Sequence, residues 1–267
     1  MKTRNVLLAL AAAAAVPAFA FTGNNTCGLV RIDSGSTNTV IGVPWVEVGT
    51  GADITLAKLV STANLTVNDE LRYYDGSNWY GWTLTSTGWQ GLTTVTDVGN
   101  EQLNPPTATE AAIVRGKALV LVRQNPKTGD TVNPFYLYGQ YANATVAAQT
   151  IARVGSAPVY MLLASPYAAE FNLNGEGKIT GMGADDQVIF YDSATGAQKF
   201  YKYFATAGAN NAAGWCRETT TKEQVTRGGR TVTMTKTVWA SEDTKIPAGQ
   251  GFWYVAASGS GSVTVNW

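Results

Sequence analysis

Shifting the chain by 122 residues lays positions 29–45 over 151–167 without a gap, so that Arg31 falls on Arg153, Ser34 on Ser156 and Pro44 on Pro166. A chain that repeats itself at long period has to fold as two related units, and this constrains the architecture more than any composition does. Each copy opens with an apolar residue two before its Arg, Leu29 and Ile151, and later reaches Pro through Val40-Ile41-Gly42-Val43 or Leu162-Leu163-Ala164-Ser165. This pattern predicts a strand, a turn and a buried strand that Pro terminates. Downstream, Asp69-Glu70-Leu71-Arg72-Tyr73-Tyr74-Asp75 matches Asp186-Gln187-Val188-Ile189-Phe190-Tyr191-Asp192. Trp79-Tyr80-Gly81-Trp82 is placed on Phe200-Tyr201-Lys202-Tyr203, then Gly88-Trp89 on Gly214-Trp215, and 113–120 on 246–253.

Short Val-, Thr- and aromatic-rich segments punctuated by Gly, Asn, Asp and Pro predict about six to eight strands in each copy. The expected fold is all-β, two tandem β-sandwich or small barrel-like repeats at 21–140 and 151–267, joined by a linker at 141–150. Only 108–112 and the Ala-rich 141–152 region carry helix signals, enough for a turn or two. The second copy has a polar insertion near 217–245, and its 224–233 centre predicts a hairpin turning on Gly228-Gly229, since Gly-Gly suits the positive φ angles of a primed turn.

Before the first copy, Lys2 and Arg4 precede an apolar run at 6–15 and an Ala18-Phe19-Ala20 site, the pattern of a cleaved signal peptide at 1–20. The expected localisation is therefore secreted, extracellular or at the cell surface. The run is too short to span a bilayer and is broken by Pro17, and no later stretch of roughly 18 apolar residues predicts a helical membrane anchor. Export frames Cys27 and Cys216 as a disulfide, the alternative being two unpaired thiols.

The ordered motifs, from "LVRI…VPW…DELRYYDG…GW…RGKALVLV" to "IARV…SPY…DQVIFYD…GW…PAGQGFWYV", resemble a class of secreted β-rich bacterial proteins over most of the mature chain. Those proteins show a strand, a Pro turn, an Asp-led aromatic strand, a Gly-Trp and a Pro-x-Gly-x-Gly-Phe strand. The resemblance implies architecture and carries no activity. The first copy departs from the class at Arg115-Gly116-Lys117-Ala118-Leu119, where the second has Ala248-Gly249-Gln250-Gly251-Phe252.

The chain has no His, which excludes Ser-His-Asp and Cys-His catalysis and His-ligated metals. With 19 Lys+Arg against 19 Asp+Glu and 14% charged residues, it offers no electrostatic footprint for nucleic acid. Asp69, Glu70, Asp75, Asp185, Asp186 and Asp192 cluster in both copies, so capping of turns is a better reading than a glycosidase pair, which occurs once. Asn172, Asn174 and Glu176 have the spacing of the front of a calcium loop, with Gly183 rather than Glu at its twelfth position and Asp185 as a substitute; a bare Gly-rich turn is the alternative. No other cofactor is implied.

Among 8 Trp and 12 Tyr, the repeated Trp45, Trp89, Trp215 and Trp253 suit inward packing, whereas Trp79, Tyr80 and Trp82 are the candidates for an exposed sugar-stacking surface. The closing Val263-Thr264-Val265-Asn266-Trp267 resembles the terminal strand of an outer-membrane barrel, but a strand closing the second copy or pairing with a neighbour explains it as well. Asn24, Asn64 and Asn143 head Asn-x-Ser/Thr sites suited to surface loops. The expected function is that of a non-enzymatic structural or cell-surface protein, a subunit of an extracellular layer, appendage or adhesive matrix. Its expected partners are copies of itself, other surface proteins or polysaccharide. A carbohydrate-binding module is the first alternative and a barrel the second.

Overall fold

A computed structural model of the protein describes residues 27–32, 38–48, 50–59, 64–74, 78–92, 112–113, 115–124, 134–140, 145–192, 197–242 and 244–267. The signal-peptide segment, Asn24, Asp75, Asn143 and positions 108–111 lie outside the described residues. The fold is all-β. Its first half holds β1 (Cys27–Ile32), β2 (Asn38–Gly42), β3 (Ile54–Thr55), the single turn of helix α1 (Leu56–Leu59), β4 (Glu70–Tyr74), β5 (Trp79–Thr85), β6 (Gly88–Gly91), β7 (Ala112–Ile113), β8 (Ala118–Val122) and β9 (Phe135–Gln140). Its second half holds β10 (Gln149–Ala152), β11 (Val159–Ala164), β12 (Phe171–Asn172), β13 (Ile179–Thr180), β14 (Gln187–Tyr191), β15 (Gln198–Phe204), β16 (Gly214–Arg227), β17 (Arg230–Ala240), β18 (Lys245–Ile246), β19 (Gly251–Ala256) and β20 (Ser262–Val265).

The main sheet of the first half runs β2-β8-β4-β5-β6, with β1-β9 and β3-β7 as flanking pairs. The second half runs β11-β19-β14-β15-β16-β17, with β10-β20-β13 and β12-β18. Taking β10 for β1, β11 for β2 and so on, the pairing orders agree, β13 and β17 being additions to the second half. Among the described residues neither main sheet closes on itself, and β20 pairs with β10 and β13 inside the second half.

Alternation along the strands fixes which face each sheet buries. Leu71 and Tyr73 of β4, Tyr80 and Trp82 of β5, and Leu119 and Leu121 of β8 point into one core with Ile32, Ile41, Trp45 and Leu137. Val188 and Phe190 of β14, Tyr201 of β15, Trp215 of β16, and Phe252 and Tyr254 of β19 point into the other. The fully buried Trp82 and Trp215 each contribute on the order of 2–3 kcal/mol of hydrophobic stabilisation.

The opposite faces of the two sheets meet along Val40, Ala118, Leu162 and Ala164. The contacts come in matched pairs: Gly42 N–H donates to Gly249 C=O at 2.8 Å, and Ala164 N–H donates to Gly116 C=O at 3.2 Å. In the sequence overlay Gly42 and Ala164 are equivalent, as are Gly116 and Gly249. The two halves therefore pack as an isologous pair, each donating to the other at the same place. Backbones approach so closely that a Cβ on Gly42 would lie 2.6 Å from Ala164 Cβ, and one on Gly251 2.5 Å from Ala118 Cβ.

Several expectations need correction. Positions 149–152 form β10, so the end of the Ala-rich region is a strand and the linker expected at 141–150 overlaps the second half; Ala112 likewise lies in β7. The hairpin expected at 224–233 turns at Gly228 and Gly229 as expected, with φ of 59° and 75°, but its strands β16 and β17 run further, from Gly214 to Ala240. The aromatic strands were overlaid two residues out of register: Leu71 pairs with Trp82 while its equivalent Val188 pairs with Tyr201, so Trp82 corresponds to Tyr201. Leu29 is 61% exposed whereas Ile151 is buried, so the overlay is not matched in burial at the start of each copy. No bond joins the cysteines; Cys27 is exposed as a free thiol, and Cys216 is buried with its Sγ 3.3 Å from Ala212 C=O.

Candidate functional site

The clustered acids come first, because a hydrolase would need two of them free. Asp69 follows Asn68, whose φ is 75°, and Asp186 follows Asp185, whose φ is 71°. A turn through left-handed backbone leaves N–H groups pointing inward, and a short carboxylate accepts them. Asp69 accepts from Thr66 N–H at 2.8 Å and Gln124 N–H at 2.9 Å. Asp186 accepts from the equivalent Gly183 at 3.0 Å and Ala257 at 2.8 Å. Both side chains are fully buried.

Their counter-charges differ. Arg153 donates twice to Asp186, at 2.6 Å each, and Tyr254 adds its hydroxyl at 2.8 Å. Burial alone would raise the Asp186 pKa; the bonds from Arg153, Gly183, Ala257 and Tyr254 outweigh it and hold the carboxyl below the usual range. The Asp186 hydrogen bond in turn raises Arg153, and burial followed by the Asp186 charge pushes the Tyr254 phenol up. Arg123 Nε stands 3.7 Å from Asp69, and its guanidinium donates to Asn64 C=O at 2.5 Å. Glu70, Asp185 and Asp192 are engaged by Arg72, Lys202 and Lys199 at 2.8, 2.6 and 3.3 Å.

The asparagines of the calcium-loop pattern are likewise occupied. Asn172 Oδ1 accepts from Asn174 N–H and from Thr244 hydroxyl, both at 3.1 Å. Asn174 bridges to β16, accepting from Trp215 N–H at 2.8 Å and donating to Trp215 C=O at 2.9 Å. Glu176 is exposed, and Asp185 points to Lys202. Among the described residues no three His, Cys, Asp or Glu side chains gather as a metal group.

The aromatic candidates separate. Trp82 is buried and Tyr80 packs toward the same core, its ring 6.2 Å from Tyr73. Trp79, one position before Tyr80, faces the other way, as alternation requires. It enters a groove of about 370 Å³ between the halves, lined by Tyr74, Trp79, Tyr160, Ile189, Tyr191 and Trp253. Three of the rings are in mutual contact: Tyr74 and Trp79 at 5.1 Å, Tyr74 and Trp253 at 6.0 Å, and Trp79 and Trp253 at 5.7 Å between centroids. Tyr160, on the strand next to that of Trp253, is 49% exposed, and Tyr191 accepts a hydrogen bond from Gln198 Nε2 at 3.0 Å.

Trp253 reaches this groove from the second half to meet rings of the first, although its repeated position suggested a core residue. Trp45 and Trp215 do occupy cores, and Trp89 is half-buried against one. Tyr74, Ile189 and Tyr191 sit at alternating positions whose neighbours, Tyr73, Val188 and Phe190, fill the cores, so their outward direction was readable from the strands. That they face one another across a cleft was not. None of the groove's described lining residues carries a carboxylate, so what it offers is stacking surface with phenolic and indole hydrogen-bonding groups. Comparison with known proteins gives no matching family model, no similar curated protein and no similar solved structure.

Proposed function

We propose that the protein is a non-enzymatic, exported protein of the cell surface or extracellular matrix that holds carbohydrate chains in the aromatic groove between its halves. The observation that carries this reading is the grouping of Tyr74, Trp79, Tyr160, Tyr191 and Trp253 around one open cleft. Flat rings match the apolar faces of pyranoses, while phenolic hydroxyls, that of Tyr191 oriented by the Gln198 amide, bond sugar hydroxyls. Soluble secreted folds seldom leave such rings together without a ligand. The engaged acids support a binding role rather than hydrolysis, since Asp69 and Asp186 spend their oxygens on backbone N–H groups.

Affinity electrophoresis of the mature chain through gels cast with hydroxyethylcellulose, xylan, β-glucan, galactomannan or α-glucan tests the proposal. At least one polymer should retard the wild type, and Trp79→Ala or Trp253→Ala should each weaken binding about tenfold, equivalent to about 1.4 kcal/mol. No retardation by any polymer, or retardation unchanged in both variants, would overturn it.

A further inference from the structure

The β16–β17 hairpin extends the second sheet as an arm. From Glu218 to Thr237 almost every residue is exposed, and Val232 and Met234 are 56% and 53% exposed. A two-stranded ribbon this long gains little from its own burial. The two-residue turn makes Arg227 and Arg230 a hydrogen-bonded pair, and pair types alternate along an antiparallel ladder. The residues opposite Thr226, Gln224, Lys222, Thr220 and Glu218 are then the non-bonded ones: Thr231, Thr233, Thr235, Thr237 and Trp239. Their N–H and C=O groups point away from β16. The base of the arm agrees, because Trp239 N–H donates to Asn210 C=O at 2.7 Å and Trp239 C=O accepts from Ala212 N–H at 3.1 Å. Beyond Trp239, no described strand pairs with this edge.

We propose that a second copy of this chain docks on the open edge, β17 against β17, antiparallel about a two-fold axis at Met234. This register places Thr231 opposite Thr237 and Thr233 opposite Thr235 of the other copy, so all four outward-facing threonines enter hydrogen-bonded pairs. Met234 meets its own mate, and Val232 meets Lys236, whose methylenes cover it. The charges agree with the same register. The tip carries Arg227 and Arg230 face to face, which is unfavourable in isolation; the register sets Arg230 opposite Val238 of the other arm, with the exposed Glu242 four residues further on, within a Debye length of the two guanidinium groups. Two six-stranded sheets thus join as one, and the junction closes at two copies. The proposal does not depend on the groove being occupied.

Sedimentation velocity of the mature chain over a rising concentration series is the first test, with dimers expected at tens of micromolar. Thr233→Pro removes an outward N–H that the hairpin itself does not use, so it should leave the β signal in circular dichroism intact and weaken the dimer at least tenfold. In a Cys27→Ala background, Met234→Cys should cross-link to covalent dimer on mild oxidation, whereas Val232→Cys, which faces Lys236, should not. A monomer at every concentration, a dimer indifferent to Thr233→Pro, equal cross-linking at both positions, or open filaments would each overturn the proposal.

Discussion

Asp69 and Asp186 do the same work in the two halves with different help. Each caps a turn whose preceding residue is left-handed, and each accepts one N–H from the turn and one from the strand end beside it. The cations come from unrelated places: Arg123 lies just past β8, next to the capped Gln124, while Arg153 lies just past β10 and binds in a two-pronged fashion, joined by Tyr254. Backbone geometry therefore dictates the carboxylate, and any cation within reach is able to neutralise it. The first half gets by with a distant guanidinium, whereas the second has built a closed network around its acid.

The largest consequence of that difference is in stability. Asp186→Ala removes the two-pronged partner of Arg153, whose side chain is 6% exposed and keeps the Ala257 and Gly181 carbonyls, and it also unpairs the Tyr254 hydroxyl; it should cost about 3–5 kcal/mol in urea unfolding at neutral pH. Asp69→Ala should cost less, about 1–3 kcal/mol, because its cation stands 3.7 Å away and is held by Asn64 C=O; equal losses would break the comparison. Acid sharpens it. Since the folded Asp186 pKa is depressed, its contribution is complete above the unfolded value of about 3.9 and is lost as pH falls through the lower folded value. The wild type should lose stability over that window, and Asp186→Asn should lack that component of the loss.

Where the halves touch, each close approach joins equivalent positions, Gly42 with Ala164 and Ala118 with Gly251. Gly42→Ala and Gly251→Ala each drive a Cβ into the neighbouring alanine Cβ, and each should cost about 1–3 kcal/mol in urea unfolding; no loss in either variant would show that the halves do not pack this closely. The smallest effect belongs to the arm, whose Thr226 and Thr231 hydroxyls lie 3.1 Å apart in solvent. Thr226→Val should change the unfolding free energy by no more than about 0.5 kcal/mol.

The positions that sequence reading recovers best are those whose residue type is forced locally. Asp after a left-handed residue, Pro after a buried strand and Gly-Gly at a two-residue turn are each demanded by backbone within a few residues, and Asp69, Asp186 and Gly228 could be placed on turns in advance. Registers between strands are set by packing, which is why the sequence overlay of Trp79 on Phe200 is two residues off and the sequence alone places Trp82 on the surface. The groove was hardest to see. Trp79 showed one wall, but Trp253 joins it only because the two sheets lie face to face, and nothing in the local pattern distinguishes an outward ring that finds a partner from one that meets water. Arg153 stood in the overlay opposite Arg31, yet its role depends on a carboxylate 33 residues away.

The two free thiols give the molecule an internal clock. Cys27 lies on the surface and should react with a maleimide at the rate of an ordinary exposed thiol. Cys216 is sealed beneath the root of the arm, and burial pushes its pKa up, so little thiolate forms while β15, β16 and β17 stay together. Alkylation of the second thiol then waits for that ladder to part, and its rate, divided by that of the first, reads the opening equilibrium of the second half alone in an otherwise intact protein.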